Sequence, residues 1–124
     1  MKILLIDDDQ DLCQLTKRVL TKNGYDVAEF NDGAKGIAFA SQYKPNLILM
    51  DIMLPGLSGP ELIASFKSDP QFKNVPVVFL TALVTGEEQG LEEEGIAAGG
   101  VNYPTLGKPY EIERLLAIVK KYAK

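Results

Sequence analysis

Leu47-Ile48-Leu49-Met50-Asp51-Ile52-Met53-Leu54-Pro55-Gly56 sets four apolar residues before a single aspartate and then breaks into a Pro-Gly turn. An apolar run without polar alternation fits a strand covered on both faces, the environment of a central strand in a parallel sheet. In open α/β sheets, ligands and chemistry sit at the carboxyl ends of the strands, so Asp51 stands where a functional group belongs. Asp also caps turns, and taken alone the stretch leaves both readings open. What separates them is whether other strands deliver matching groups to the same edge.

The rest of the chain narrows the choice. Its 124 residues fit one domain, and 46% hydrophobic with 24% charged residues excludes disorder and membrane residence as starting points. The opening Lys2 to Ile6 is cut by Asp7-Asp8-Asp9 after four apolar residues, too soon for a signal peptide or a membrane span, so the cytosol is the default location. A net charge of −4 with scattered Lys and Arg argues against direct nucleic-acid binding. There is no His and only one Cys, which removes Ser-His-Asp and Cys-His catalysis and the usual zinc ligand sets. Cys13 lies in a helical pattern and reads as a core thiol.

In chain order, residues 2–6 form a strand that ends, like the Asp51 stretch, in carboxylates. Leu12, Leu15, Val19 and Leu20 recur at helical spacing, with Asp9 or Asp11 near the start and Asn23-Gly24 as a left-handed stop. Tyr25 to Phe30 is a strand, and Asn31-Asp32-Gly33 turns into a helix carrying Ala34, Ile37, Ala38 and Phe39 that stops before Pro45. After the Asp51 strand, Ser58-Gly59-Pro60-Glu61 matches a capping box, and Leu62, Ile63 and Phe66 give the next helix its buried side, with an end near Asp69-Pro70. Val75 to Leu80 is a strand closing on Thr81. Thr85 to Glu88 can open a helix, although Gly90, Gly95, Gly99 and Gly100 punctuate the residues after it. Val101 to Leu106 is a poor strand interrupted by Pro104, and Ile112, Leu115, Leu116 and Val119 mark a final amphipathic helix.

Five strands alternating with five helices predict an α/β fold: a five-stranded parallel sheet with helices on both faces. With right-handed crossovers, the flavodoxin-like order 2-1-3-4-5 is expected, and it sets the first and third strands side by side. Asp7, Asp8 and Asp51 would then meet. Carboxylates roughly 5 Å apart repel by about 3 kcal/mol per pair at an effective dielectric near 20, so the cluster calls for a cation. Oxygen ligands without His or Cys select a hard ion such as Mg²⁺. Such an ion beside a carboxylate, the Thr81 hydroxyl and the Lys108 ammonium suits phosphoryl transfer, with Asp51 as the nucleophile.

Ile6-Asp7-Asp8-Asp9, Met50-Asp51-Ile52-Met53-Leu54-Pro55-Gly56, Leu80-Thr81-Ala82 and Gly107-Lys108-Pro109 together resemble the receiver domain of two-component response regulators, in order and across nearly the whole of residues 1–124. The resemblance implies that Asp51 accepts a phosphoryl group from a sensor histidine kinase or a histidine phosphotransfer protein. It implies that Asp8 and Asp51 bind Mg²⁺ directly, that Asp7 does so mostly through water, and that the Met53 carbonyl completes the protein ligands. Thr81 and Lys108 would contact the phosphoryl oxygens and carry the switch to an output partner on the face formed by residues 82–124. The chain would catalyse only its own phosphorylation and dephosphorylation.

Two departures stand out. Receivers usually carry Tyr or Phe three positions before the lysine, where this chain has Thr105, with Tyr103 nearby but out of step. The span from Thr81 to Lys108 is long and glycine-rich, so the switch is expected to run through Gly86 to Gly100 rather than through an aromatic rotamer. Met53 and Leu83 occupy positions where fast-hydrolysing relatives carry polar side chains, which predicts a long-lived acyl phosphate.

Rival readings make different demands. An EF-hand on Asp7-x-Asp9-x-Asp11 would need Gly at Leu12 and Glu at Arg18. A haloacid-dehalogenase-like phosphatase would make Asp7 the nucleophile and leave Asp51 idle. A flavodoxin would bring FMN phosphate against three repelling aspartates. A degenerate receiver would keep the fold for phosphorylation-independent protein contacts. A receiver that signals by docking alone and the receiver of a longer regulator both fit these residues.

Overall fold

The computed structural model of the chain describes residues 1–51, 53–54, 57–81, 96–98, 101–107 and 110–123. We number the strands of its central sheet β1 (Lys2–Ile6), β2 (Asp26–Phe30), β3 (Leu47–Asp51), β4 (Val77–Thr81) and β5 (Thr105–Gly107). The α-helices among the described residues are α1 (Gln10–Lys22), α2 (Gly33–Tyr43), α3 (Gly59–Lys67) and α4 (Ile112–Tyr122), with a 3-10 turn at Pro70–Phe72. The sheet runs β2-β1-β3-β4-β5, every pair parallel, which is the expected order.

Every residue of β3 is buried, as its unbroken apolar run requires. Strand alternation sends Leu5, Leu49, Val78, Leu80 and Leu106 to a core shared with Cys13 and Leu20 of α1 and Leu115, Ile118 and Val119 of α4. Leu4, Ile6, Ile48, Met50, Val77 and Phe79 face the other way, against Ala40 of α2 and Ile63 and Phe66 of α3. Each fully buried Leu, Ile or Phe contributes roughly 1.5–3 kcal/mol relative to exposure, so the two layers hold the sheet from both sides.

Ile63 and Phe66 of α3 are buried as their spacing predicts, while α1, α2 and α4 depart in part from their apolar pattern. In α1 the buried residues are Cys13, Thr16 and Leu20, while Leu15 is 49% exposed. Thr16 can be internal because its hydroxyl pairs with that of Tyr110, which disguised the inward stripe as polar. In α2 the buried positions are Gly33, Gly36 and Ala40, and Ala34 and Ala38 face solvent. This helix packs by close approach: a Cβ on Gly36 would lie 2.6 Å from Ile6 Cδ1. In α4 the expected Ile112 is 46% exposed, because it opens the first turn before the helix meets the sheet.

Several boundaries shift for identifiable reasons. Asp9 caps α1 by accepting from Leu12 N–H at 3.1 Å, and Gly24, at φ +90°, takes the left-handed stop foreseen for it. β2 begins at Asp26 rather than Tyr25, since Tyr25 N–H still bonds the end of α1 at Leu20 O. β4 begins at Val77 rather than Val75: Val75 N–H turns back to Phe72 O, and Pro76 has no N–H, though its carbonyl receives Ile48 N–H at 3.0 Å. The α3 helix ends at Lys67, and Asp69 caps the following 3-10 turn through Gln71 N–H.

The expected strand from Val101 to Leu106 is two strands. Val101–Tyr103 pairs antiparallel with Ile96–Ala98, and after Pro104 the chain re-enters as β5, with Phe79 N–H donating to Pro104 O at 2.9 Å. Proline ends one ladder and its carbonyl begins the other. Ile96–Ala98 is a strand within the glycine-punctuated stretch, and the helix that Thr85 to Glu88 can open falls on residues 82–95, which, with 99–100, lie outside the described residues.

Candidate phosphoryl and metal site

The parallel register brings the strand ends to one edge. Ile6 pairs with Met50, so Asp7 follows beside Asp51, while Asp51 pairs with Leu80 and Thr81 with Gly107. Asp7, Asp8 and Asp51 each offer a carboxylate oxygen, all within 4.8 Å of one another. Asp7 and Asp51 are buried, at 1% and 5% exposure, and Asp8 is exposed. The cluster thus has two fixed walls and one open side.

Asp7 is held at several points. Its N–H donates to Phe30 O at 3.0 Å, and its Oδ1 accepts Asp9 N–H at 3.0 Å. Its carbonyl accepts Asn31 Nδ2–H at 2.8 Å and the Cys13 thiol at 3.3 Å. From sequence, Asn31 reads only as a turn residue and Cys13 only as core. The signal for Asn31 is its place immediately after β2, which ends at the same edge as β1.

The structure places two of the other expected site residues, Thr81 and Met53, at or just past this edge. Thr81 closes β4 one residue beyond the pairing partner of Asp51. Met53 pairs with Ser58 in a short antiparallel bridge just past β3. Lys108, next in sequence after Gly107, and Leu83 lie outside the described residues. Thr105, at 3% exposure, pairs with Phe79 in the sheet, and the ring of Tyr103 meets Phe79 edge-on at 5.7 Å between centroids. Lys67 closes over Tyr103, its Nζ 6.0 Å from the ring centroid and donating to Lys73 O and Val75 O; burial pushes its pKa below the usual lysine range.

This arrangement weighs on the rivals. Asp9 spends its carboxylate on the helix cap and Asp11 lies exposed on α1, so no Asp7-x-Asp9-x-Asp11 loop forms. Asp51 joins Asp7 in the cluster, which a phosphatase using Asp7 alone does not require. Three carboxylate oxygens with no nitrogen or sulfur donor fit a hard, oxygen-preferring cation such as Mg²⁺.

Among the described residues no helix is long and apolar enough to cross a membrane. Residues 3–120 match the response regulator receiver domain family. The chain is 39% identical over 119 residues to the DNA-binding dual master transcriptional regulator RpaA of Synechocystis sp., covering 96% of this chain and 47% of that protein. It is 27% identical to the polar-differentiation response regulator DivK of Brucella anthropi, covering 97% and 94% of the two chains. The structure of chemotaxis protein CheY4 of Vibrio cholerae superposes with a TM-score of 0.81 at 25% identity, over 98% and 97% of the two chains. The chain spans about half the length of the first curated relatives it matches. With its sheet order, its edge of three carboxylates and this match over residues 3–120, the chain belongs to the receiver domain family of two-component response regulators.

Proposed function

We propose that this receiver accepts a phosphoryl group on Asp51 from a sensor histidine kinase or histidine phosphotransfer protein. The observation that carries the reading is the meeting of Asp7, Asp8 and Asp51 within 4.8 Å at the carboxyl edge of the sheet. An Asp51 carboxylate oxygen attacks phosphorus, the P–N bond to the donor histidine breaks, and the imidazole nitrogen leaves with the electron pair, giving an acyl phosphate. Residues 1–124 hold no His, so the donor histidine lies outside them. Burial of Asp51 between β1 and β4 holds the nucleophile in one direction, and positioning is a large part of phosphoryl-transfer catalysis.

Asp8 and Asp51 would hold Mg²⁺ directly, Asp7 mostly through water, and the Met53 carbonyl would complete the protein ligands. When bound, the ion supplies positive charge against the phosphoryl oxygens. Thr81 and Lys108 would contact those oxygens and relay occupancy to an output partner on the face formed by residues 82–124. Domain bounds of 1–124 and a cytosolic location belong to the same reading.

The test is incubation with acetyl phosphate and Mg²⁺, followed by intact mass and site mapping. One hydroxylamine-sensitive phosphoryl group on Asp51, lost in Asp51→Asn, is expected. Labelling that maps to Asp7 would favour the phosphatase chemistry, and no labelling under any donor would favour a degenerate receiver; either refutes the proposal.

A further inference from the structure

We propose that Asn31, assisted by Cys13, is a positioning residue for the acidic site, holding the peptide between Asp7 and Asp8 so that both carboxylates keep their places beside Asp51. The inference rests on the reading of that site as an Mg²⁺ and phosphoryl site. Asn31 is the first residue after β2, and β2 borders β1. Its Nδ2 donates to Asp7 O at 2.8 Å and reaches Cys13 Sγ at 3.7 Å, while the Cys13 thiol donates to the same Asp7 O at 3.3 Å. Two donors from different elements, one after β2 and one on α1, thus converge on a single carbonyl oxygen.

That carbonyl belongs to the peptide linking the two acidic residues of β1's carboxyl end, so its orientation sets where both side chains start. Asp7 has further anchors in Phe30 O and Asp9 N–H. Asp8 is exposed and gains little fixing from packing, so it depends most on the peptide before it. A thiol is a weak donor, which leaves Asn31 as the stronger of the two holds. Asn31 is itself exposed, so losing its side chain removes the hold without opening the core.

A purely structural staple between the loops after β1 and β2 would show itself in stability; a positioning residue shows itself in ligand binding. The full chain is titrated with Mg²⁺ alone by calorimetry and by amide NMR, beside thermal melts in chelator. Asn31→Ala is expected to weaken Mg²⁺ binding about tenfold, the scale of supporting-residue losses at metal sites, with Tm moved by no more than about 2 °C. Cys13→Ala should weaken binding less, and Cys13→Ser, which restores a donor, should recover it even though a hydroxyl gains nothing for the apolar surroundings. Unchanged affinity in Asn31→Ala, or losses that follow Tm rather than the presence of a donor, would overturn the inference while leaving the site reading intact if Asp8→Ala still abolishes binding. Wild-type chain that binds no Mg²⁺ would overturn both.

Discussion

Replacing Asp8 by Asn keeps the shape of the side chain and removes its charge, and the acidic edge should respond in opposite directions with and without metal. One oxygen from each of Asp7, Asp8 and Asp51 lies within 4.8 Å of the others, so Asp8 takes part in two of three mutual repulsions. At that separation each is worth about 3.5 kcal/mol at an effective dielectric of 20 and about 0.9 kcal/mol in bulk water. Asp8 is exposed, so the watery limit governs: relief of about 2 kcal/mol, trimmed by salt to about 1–2 kcal/mol. For a chain of this size, that raises Tm by roughly 3–8 °C in chelator. Mg²⁺ at a hundredfold excess over its Kd stabilises the wild type by about 2.7 kcal/mol, and the variant, lacking a charged ligand, by far less. Melts of both proteins in EDTA and in Mg²⁺ should therefore cross: the variant higher in EDTA, the wild type higher in Mg²⁺. A variant no more stable than wild type in EDTA, or an equal Mg²⁺ increment in both, would refute the electrostatic reasoning.

Two further outcomes are expected. Gly36→Ala gains about 1 kcal/mol in helix propensity but sets a methyl 2.6 Å from Ile6 Cδ1 and 2.8 Å from Ile6 Cγ1, an overpacking cost of about 1–3 kcal/mol, so denaturant melts should show a net loss near 1 kcal/mol. In an Ile6→Val background, which lacks that Cδ1, the loss should shrink by at least about 0.5 kcal/mol, and a substitution that stabilises both backgrounds would contradict the contact. Phosphorylated Asp51 should persist for minutes or longer at 25 °C, because Met53 and Leu83 offer no good hydrogen bond to an attacking water and such help is commonly worth about 10² to 10⁴-fold; decay within seconds, tracked by mass or phosphate release, would count against it.

The fold and the place of the chemistry are legible in the sequence for physical reasons tied to local pattern. The apolar run Leu47 to Met50 fits a strand covered on both faces, the alternation of strands and helices favours parallel pairing, and right-handed crossovers leave few orders, of which 2-1-3-4-5 is the one observed. Two strands ending in Asp at one edge then have to meet, and they do. Apolar spacing also put Ile63 and Phe66 of α3 and Leu115 and Val119 of α4 inward, as they are, whereas tertiary structure decided the rest of the inward faces. Apolar spacing pointed to Leu15, Ala34 and Ile112, but the sheet accepted Thr16 because Tyr110 satisfies its hydroxyl, and Gly36 because only a residue without a side chain lets α2 reach Ile6. It also divided the segment around Pro104 into a hairpin strand and β5, since that choice depends on Ile96–Ala98 as a partner rather than on the residues themselves. The hold of Asn31 on Asp7 O likewise spans 24 positions in sequence and exists only once β2 lies beside β1, so no local pattern carries it.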